Sequence, residues 1–391
     1  MPYTPFPRIG ILGAGQLGKM LAIAAAPLHL PLSALDGDAA QPAVPYLPEF
    51  VAGNFKDYDE VLAFGRTVDV LTIEIEHVNT EALHQLVREG KTVHPRPGAL
   101  DIIKDKGNQK QFYESQGLPT APFQLWKGAN ELRQALNDGL LQYPFVQKSR
   151  EAGYDGKGVA IIRGDNDLPK LLEASCLTEA LVPFAKELAV IAARRPSGEV
   201  RTYPAVEMIF HPTANLVEQL ACPAAIDPEV EKEAQTLAVR TIEALDICGL
   251  LAVEMFLTKT GELLINEVAP RPHNSGHQTI ESCPTSQFEQ HLRAICDWPL
   301  GDTRPHSPSV MVNLLGAPEH TGPARYEGLP ECLRVPGAHL HLYGKSQTRP
   351  MRKMGHATVV HPDLATATQL AQKIQRTLRI VSATTPKTTA Q

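Results

Sequence analysis

Apolar positions follow two rhythms along this chain. Over the first hundred residues, short apolar runs alternate with stretches where apolar residues recur every three or four positions. RIGILGAG (8–15) predicts a strand entering a glycine turn, and QLGKMLAIAAAPL (16–28) the helix that follows it. LSALD (32–36) predicts a second strand and VDVLTIEIEHV (68–78) a later one. This βαβ rhythm specifies a parallel sheet. PRPGALDIIKDKGNQKQFYESQGLPTAP (95–122) reads as a boundary, a broken helix closed by Gly117 and Pro119.

Beyond it the rhythm changes to strands with antiparallel character. YPFVQKS (143–149) and GVAIIR (158–163) flank a glycine-bearing loop; EALVPFAKELAVIAARR (179–195) and EVRTYPAVEMIF (199–210) follow. EVEKEAQTLAVRTIEALD (229–246) has the period of an amphipathic helix, and LLAVEMFLTKTGELLINEV (250–268) that of a hairpin. WPLGDTRPHSPS (298–309) reads as a linker to a small β-rich module with a helix near 362–378. Three domains are expected: 1–100, 101–297 and 298–391.

Composition narrows the function. The 391 residues are 43% hydrophobic and 20% charged, with a formal charge of -6, which argues against nucleic acid as the main partner. No apolar run approaches the roughly 20 residues of a membrane helix, and the opening MPYTPFPRIG lacks the apolar core of a signal peptide. The six cysteines are scattered without C-x-x-C spacing, so a reducing cytoplasm is expected rather than a disulfide framework or zinc site.

Three stretches carry chemistry. With the hairpin turn placed at Thr260–Gly261, residues whose numbers sum to 521 face each other, which pairs Glu254 with Glu267. Two carboxylates about 5 Å apart at Cβ repel unless they point to water or share a cation, and hard oxygen ligands suit Mg²⁺. LLINEVAPRPHNSGH (263–277) then crowds Arg271, His273, Asn274, Ser275 and His277 behind Glu267. A metal with flanking cationic and hydrogen-bonding groups is what phosphoryl chemistry uses. Upstream, Lys148 ends a strand, and Gly153, Gly156 and Gly158 fall in the loop after it: an ordinary hairpin, or a polyphosphate cradle that is not a Walker A loop. The spacing of Gly13, Gly15 and Gly18, with Asp36 beyond, is by itself a weak dinucleotide signal.

A glycine-loop hairpin, a strand with Glu179 and Glu187, and a terminal hairpin with Glu254 and Glu267 follow in the order of the ATP-grasp fold. Within it, AGYDGKG (152–158) and NEVAPRPHNSGH (266–277) resemble the N5-carboxyaminoimidazole ribonucleotide synthetase family, the ATP-dependent carboxylases of purine biosynthesis. GAGQLGKM (13–20), EIEHV (74–78), GLPTAP (117–122) and HLYGKSQTRPMRKMGH (341–356) match the same family, so the resemblance covers about residues 10–380.

The resemblance implies an α/β and α+β chain: a Rossmann-like pre-ATP-grasp domain, a central ATP-grasp domain with a glycine-loop lid (a subdomain over about 120–185), and a small β-rich C-terminal domain. It implies carboxylation of the 5-amino group of 5-aminoimidazole ribonucleotide with ATP, Mg²⁺ and bicarbonate through carboxyphosphate, by a cytoplasmic homodimer. Lys106 and Lys148 would contact the ATP phosphates, and Gly153, Tyr154, Asp155, Gly156, Lys157, Gly158 and Val159 would cover them. Glu179, Ala180, Leu181 and Val182 would read adenine through backbone groups, with Glu187 on the ribose and His211 at the nucleotide site. Glu254 and Glu267 would hold Mg²⁺ beside Asn266; Ala269 stands where many ATP-grasp enzymes have a further Asn. Arg271, His273, Asn274 and Ser275 would bind bicarbonate, carboxyphosphate and the amine. Tyr154 and Lys157 would line the ribonucleotide, and Asp155 would take the proton of its amine. Gln16 and Leu17 would approach its phosphate or ribose, Glu74 its ring, and Lys345 and Arg352 its phosphate, although these last two also read as solvated surface charge. A formate-dependent glycinamide ribonucleotide transformylase shares the glycine turn and EIE strand, but typically has an acid at the place of Asn274. A nicotinamide-dependent dehydrogenase would leave the Glu254/Glu267 hairpin unexplained.

Overall fold

The computed structural model describes residues 6–151, 158–210 and 217–383. β1 (Ile9–Leu12), β2 (Leu32–Asp36), β3 (Glu49–Ala52), β4 (Val70–Ile73) and β5 (Thr92–Val93) form a parallel sheet in the order β3-β2-β1-β4-β5. β1, β2 and β4 are buried along their whole length, which explains their continuous runs of apolar and small residues. The strand expected over 68–78 stops at Ile73. Its outer neighbour β5 is two residues long, so 74–78 leave the sheet at its carboxyl edge, where an α/β sheet places a ligand crevice.

The broken helix is two helices, Pro97–Ile103 and Lys106–Ser115. Asp105 makes the break useful: its carboxylate caps the second helix, accepting from the Gly107 and Asn108 amides at 2.7 and 3.1 Å. Next, β6 (Phe123–Trp126), β7 (Phe145–Ser149), β8 (Val159–Ile162) and β9 (Cys176–Ala180) build an antiparallel sheet in the order β6-β9-β7-β8. It has its own small core around Leu132, Phe145, Ile162 and Cys176.

β10 (Phe184–Arg194), β11 (Val200–Thr202), β12 (Val206–Phe210), β13 (Val217–Cys222), β14 (Gly249–Thr258) and β15 (Leu263–Ala269) belong to a nine-stranded antiparallel sheet. Helix Pro228–Ala244 buries Ala234, Leu237, Ala238, Thr241 and Ile242, the i, i+3, i+4 stripe read from its sequence, in the core that β10, β14 and β15 share. The sheet runs on past the Pro-rich stretch. Ser309–Leu315 pairs with β13, and Lys353–Val360 and Ala338–Leu342 follow outward, with helix Leu364–Thr377 packed on them.

The β14–β15 hairpin reaches the expected pairing by an unexpected route. Its loop holds three residues rather than two: the Thr258 amide donates to the Glu262 carbonyl, and Gly261 takes φ +89°. Leu257, Phe256 and Met255 therefore face Leu263, Leu264 and Ile265, one position off the expected register. A bulge at Asn266 then absorbs the extra residue, so that Glu254 faces Glu267 after all.

Candidate active site

The carboxyl edge of the parallel sheet, the end of the β14–β15 hairpin and residues 270–277 surround a cleft of about 720 Å³. The bulge leaves neighbouring Asn266 and Glu267 both half-buried, where regular alternation would have turned one away. Lys106, in the first turn of its capped helix, pairs with Glu267. Lys148, at the end of β7, donates to Asn266 Oδ1 at 2.7 Å and pairs with Glu179 at 2.8 Å.

Burial pushes Glu254 upward, and the facing Glu267 and Glu187 add to the rise. The Lys106 ammonium holds Glu267 well below the ordinary carboxylate range. Burial raises Glu187 to about 7. Three converging carboxylates outnumber the two lysines beside them, Lys106 and Lys148, and a divalent cation would relieve the excess negative charge. Among the described residues no group of three or more His, Cys, Asp and Glu forms a metal cage. Mg²⁺ needs none, since it binds through one or two carboxylates plus substrate phosphates and water. Glu254 and Glu267 fit that cation.

The segment after β15 supplies the remaining groups. Pro270 and Pro272 restrict the backbone on both sides of Arg271. Arg271 Nη2 reaches Glu76 Oε1 at 2.9 Å, and Nη1 donates to the Pro272 carbonyl at 3.1 Å. His273 sits with Nε2 3.4 Å from Glu254 Oε1 and Nδ1 2.9 Å from Ser275 Oγ. Gln287 clamps it from below, accepting from the His273 amide at 2.9 Å and donating to its carbonyl at 2.7 Å. Asn274 lines the cleft, and its Nδ2 is buried without a partner among the described residues. A buried amide donor facing a cleft is suited to an anionic ligand. His277, at the cleft wall, packs at a tilt against His356, which stacks on His341, at centroid distances of 4.6 and 4.5 Å. Burial holds His277 and His356 far below the ordinary imidazole value, so both are neutral packing groups. His341 ends the stack on Glu281 at 2.7 Å.

The glycine turn is already filled. Glu74 accepts from the Gly15 and Gly18 amides, the second at 2.6 Å. A Cβ on Gly13 or Gly15 would fall 2.6 or 2.7 Å from the Glu74 side chain, so glycine is required there to admit that carboxylate. Asp36 is occupied as well, accepting from the Ala14 amide at 2.9 Å. The dinucleotide signal thus has an internal cause: the amides and the acid that would hold a nucleotide hold each other. Gln16 and Leu17 line the cleft beside Glu74.

Other expectations divide. Ala180, Leu181 and Val182 line a second cavity of about 250 Å³, toward the turn end of the hairpin, with Pro183, Thr258 and Leu264. Glu179 is not open to a base through its carboxylate, which is buried between Lys110 and Lys148 at 2.8 Å from each. Gly158 and Val159 stand at the start of β8. Gly153, Tyr154, Asp155, Gly156, Lys157 and His211 lie outside the described residues. Lys345 and Arg352 do not line the cleft: Lys345 Nζ donates to the Lys353 carbonyl at 2.8 Å, and Arg352 to the Gln347 carbonyl at 2.6 Å. Lys353 and Tyr343 line it instead.

Sequence reading passed over Lys110, Arg150, Lys353 and the pairing of Glu76. Glu76 is half-buried against Arg271. Lys110 had a usable signal, being four residues after Lys106 and so on the same helical face. Burial lowers it to about 8.

Comparison with known proteins covers most of the chain. Residues 6–104 match the ribonucleotide synthetase preATP-grasp domain, 111–288 the ATP-grasp domain, and 309–370 the phosphoribosylaminoimidazole carboxylase C-terminal domain. The chain is 39% identical to the N5-carboxyaminoimidazole ribonucleotide synthase of Bacillus subtilis, over 90% of each protein. It is 37% identical to that of Synechococcus elongatus, over 98% of this chain and 96% of the other. The crystal structure of the Thermotoga maritima synthetase superposes with a TM-score of 0.88 at 41% identity, covering 96% of this chain and 100% of that one. An Aspergillus clavatus synthase in complex with ADP and 5-aminoimidazole ribonucleotide gives 0.86 at 33% identity, covering 95% and 98%.

Proposed function

The chain belongs to the N5-carboxyaminoimidazole ribonucleotide synthase family, and from that premise we propose how its cleft works. It is an ATP-dependent ligase that carboxylates 5-aminoimidazole ribonucleotide in purine biosynthesis. The observation that carries the residue assignment is the pairing of Glu254 with Glu267 opposite two lysines from different elements.

Lys106 and Lys148 hold the phosphates of ATP, with Ala180, Leu181 and Val182 at the base and Glu187 at the ribose. Glu254 and Glu267 hold Mg²⁺, which when bound draws charge off the transferring phosphoryl group. Bicarbonate is a poor electrophile, so one of its oxygens first attacks the γ-phosphorus and ADP departs. Arg271, His273 and the free amide hydrogens of Asn274 grip the carboxyphosphate formed. The ribonucleotide amine then attacks the carboxyl carbon and phosphate leaves. Gln16, Leu17 and Glu74 hold the ribonucleotide, Ser275 sets the His273 ring, and Asp155 takes the amine proton. Lys353, which lines the cleft, holds the ribonucleotide phosphate; Lys345 and Arg352, which the family pattern assigns to it, would have to leave their backbone carbonyl partners to join it.

Further readings belong to the same proposal. Domain cuts near 100 and 298 fall in the helix that opens the boundary segment and in the irregular stretch 298–308. A cytoplasmic location accords with six free cysteines; the homodimer follows the family pattern, and sedimentation of the purified protein tests it. The transformylase alternative is disfavoured by Asn274.

The deciding experiment measures ADP release with ATP, Mg²⁺ and bicarbonate, with and without aminoimidazole ribonucleotide. Release that requires the ribonucleotide and yields an acid-labile carboxylated product is expected. Stimulation by glycinamide ribonucleotide with formate instead would move the activity to the transformylase.

A further inference from the structure

Arg271 is the cation of the segment after β15, yet its own segment does little to aim it. The flanking prolines hold the backbone, but a long side chain with four rotatable bonds still has to be ordered, at a cost in rotamer entropy. Nη1 has only the carbonyl of the next residue, and Nε is buried without a partner among the described residues. The strong contact comes from elsewhere: Glu76, at 2.9 Å, on the loop that leaves β4. Both side chains are largely withdrawn from water, at 20% and 16% exposure, so the pair is neither a rim contact nor strongly screened.

The location of Glu76 matters as much as the distance. Two residues earlier on the same loop, Glu74 binds the glycine turn. One short loop of the parallel-sheet domain thus touches the ribonucleotide end of the cleft through Glu74 and the cation of the ATP-grasp end through Glu76.

We propose that Glu76 is a positioning residue that holds the Arg271 guanidinium in place to grip bicarbonate and the carboxyphosphate made from it, tying the ribonucleotide-binding domain to the carboxylation step. This rests on the function proposed above. The Glu76 carboxylate on Nη2 and the Pro272 carbonyl on Nη1 together fix the plane of the guanidinium, which the single ammonium of a lysine would not offer.

The test is steady-state kinetics of Glu76→Ala and Glu76→Gln with each substrate varied in turn. Glu76→Ala is expected to raise the bicarbonate KM roughly tenfold or more, the scale of one charge-assisted hydrogen bond. The KM for ATP should stay within about twofold of wild type, and more ADP should be released per carboxylated product, because carboxyphosphate held loosely is lost to water. Glu76→Gln keeps an acceptor for Nη2 and should fall between Ala and wild type. Melting curves of the three proteins show whether any variant has simply unfolded, and Glu76→Gln, nearly isosteric, keeps the test open if Ala does. An unchanged bicarbonate KM and product ratio in a folded Glu76→Ala protein overturns the proposal. A parallel rise in all three KM values does so too, since it marks a general structural role. Wild type that shows no ribonucleotide-dependent turnover would sink the proposed function instead, so the two failures are distinct.

Discussion

The glycine turn after β1 and the carboxylate hairpin β14–β15 both present charged groups to the same cleft, and they solve opposite problems. In the turn, backbone amides that would attract an anion are met inside the protein by Glu74, with Asp36 on the neighbouring amide. In the hairpin, carboxylates that repel one another are only partly met, by Lys106 on Glu267 and by His273 near Glu254. The first region is electrostatically closed and so constrains shape. The second keeps an excess of charge and so invites a cation. A motif read by residue type alone does not distinguish these cases, because the partner comes from a distant part of the chain.

The comparison can be broken at either end. The largest effect is expected from Glu267→Gln, which removes one of two cation ligands: ADP release should fall by roughly a thousandfold, several kcal/mol of barrier, with an unchanged circular dichroism spectrum. Near-normal turnover would remove the metal assignment. Lys110→Met tests how the cationic side of the hairpin is held. It strips one of two ammonium partners from buried Glu179 and should cost about 3 kcal/mol in urea unfolding, as broken buried pairs do; a loss below about 1 kcal/mol would mean Lys148 alone suffices. Gly15→Ala attacks the closed region. Its Cβ would lie 2.7 Å from Glu74 Oε1, so the carboxylate must shift, and the ribonucleotide KM should rise about tenfold while that for ATP holds. The smallest expected effect is none: NAD⁺ or NADP⁺ at millimolar concentration should neither bind saturably nor inhibit, as fluorescence titration would show. Tight binding would mean that Glu74 yields the turn to a nucleotide.

Much of this was legible beforehand, for identifiable reasons. Parallel sheet, amphipathic helix and hairpin were readable because each depends on apolar periodicity over a few consecutive residues, as the stripe from Ala234 to Ile242 shows. The Glu254–Glu267 pairing was also readable, although the loop length was not: one residue more in the turn and one in the bulge cancel. The crowding of Arg271, His273 and Asn274 needed no structure, since those residues lie within one short segment.

What the sequence could not disclose is which distant group answers each charge. Glu179 as the seat of two lysines, Glu74 as the filling of the glycine turn, and Glu76 as the anchor of Arg271 join residues 31 to 195 positions apart. Local pattern determined the elements and brought the reactive residue types together, because backbone geometry and apolar burial act over neighbouring positions. Tertiary structure alone decided which carboxylates were neutralised within the protein and which were left for a ligand. A buried charge takes its energy from whatever lies within a few ångströms, and only the folded chain sets that distance.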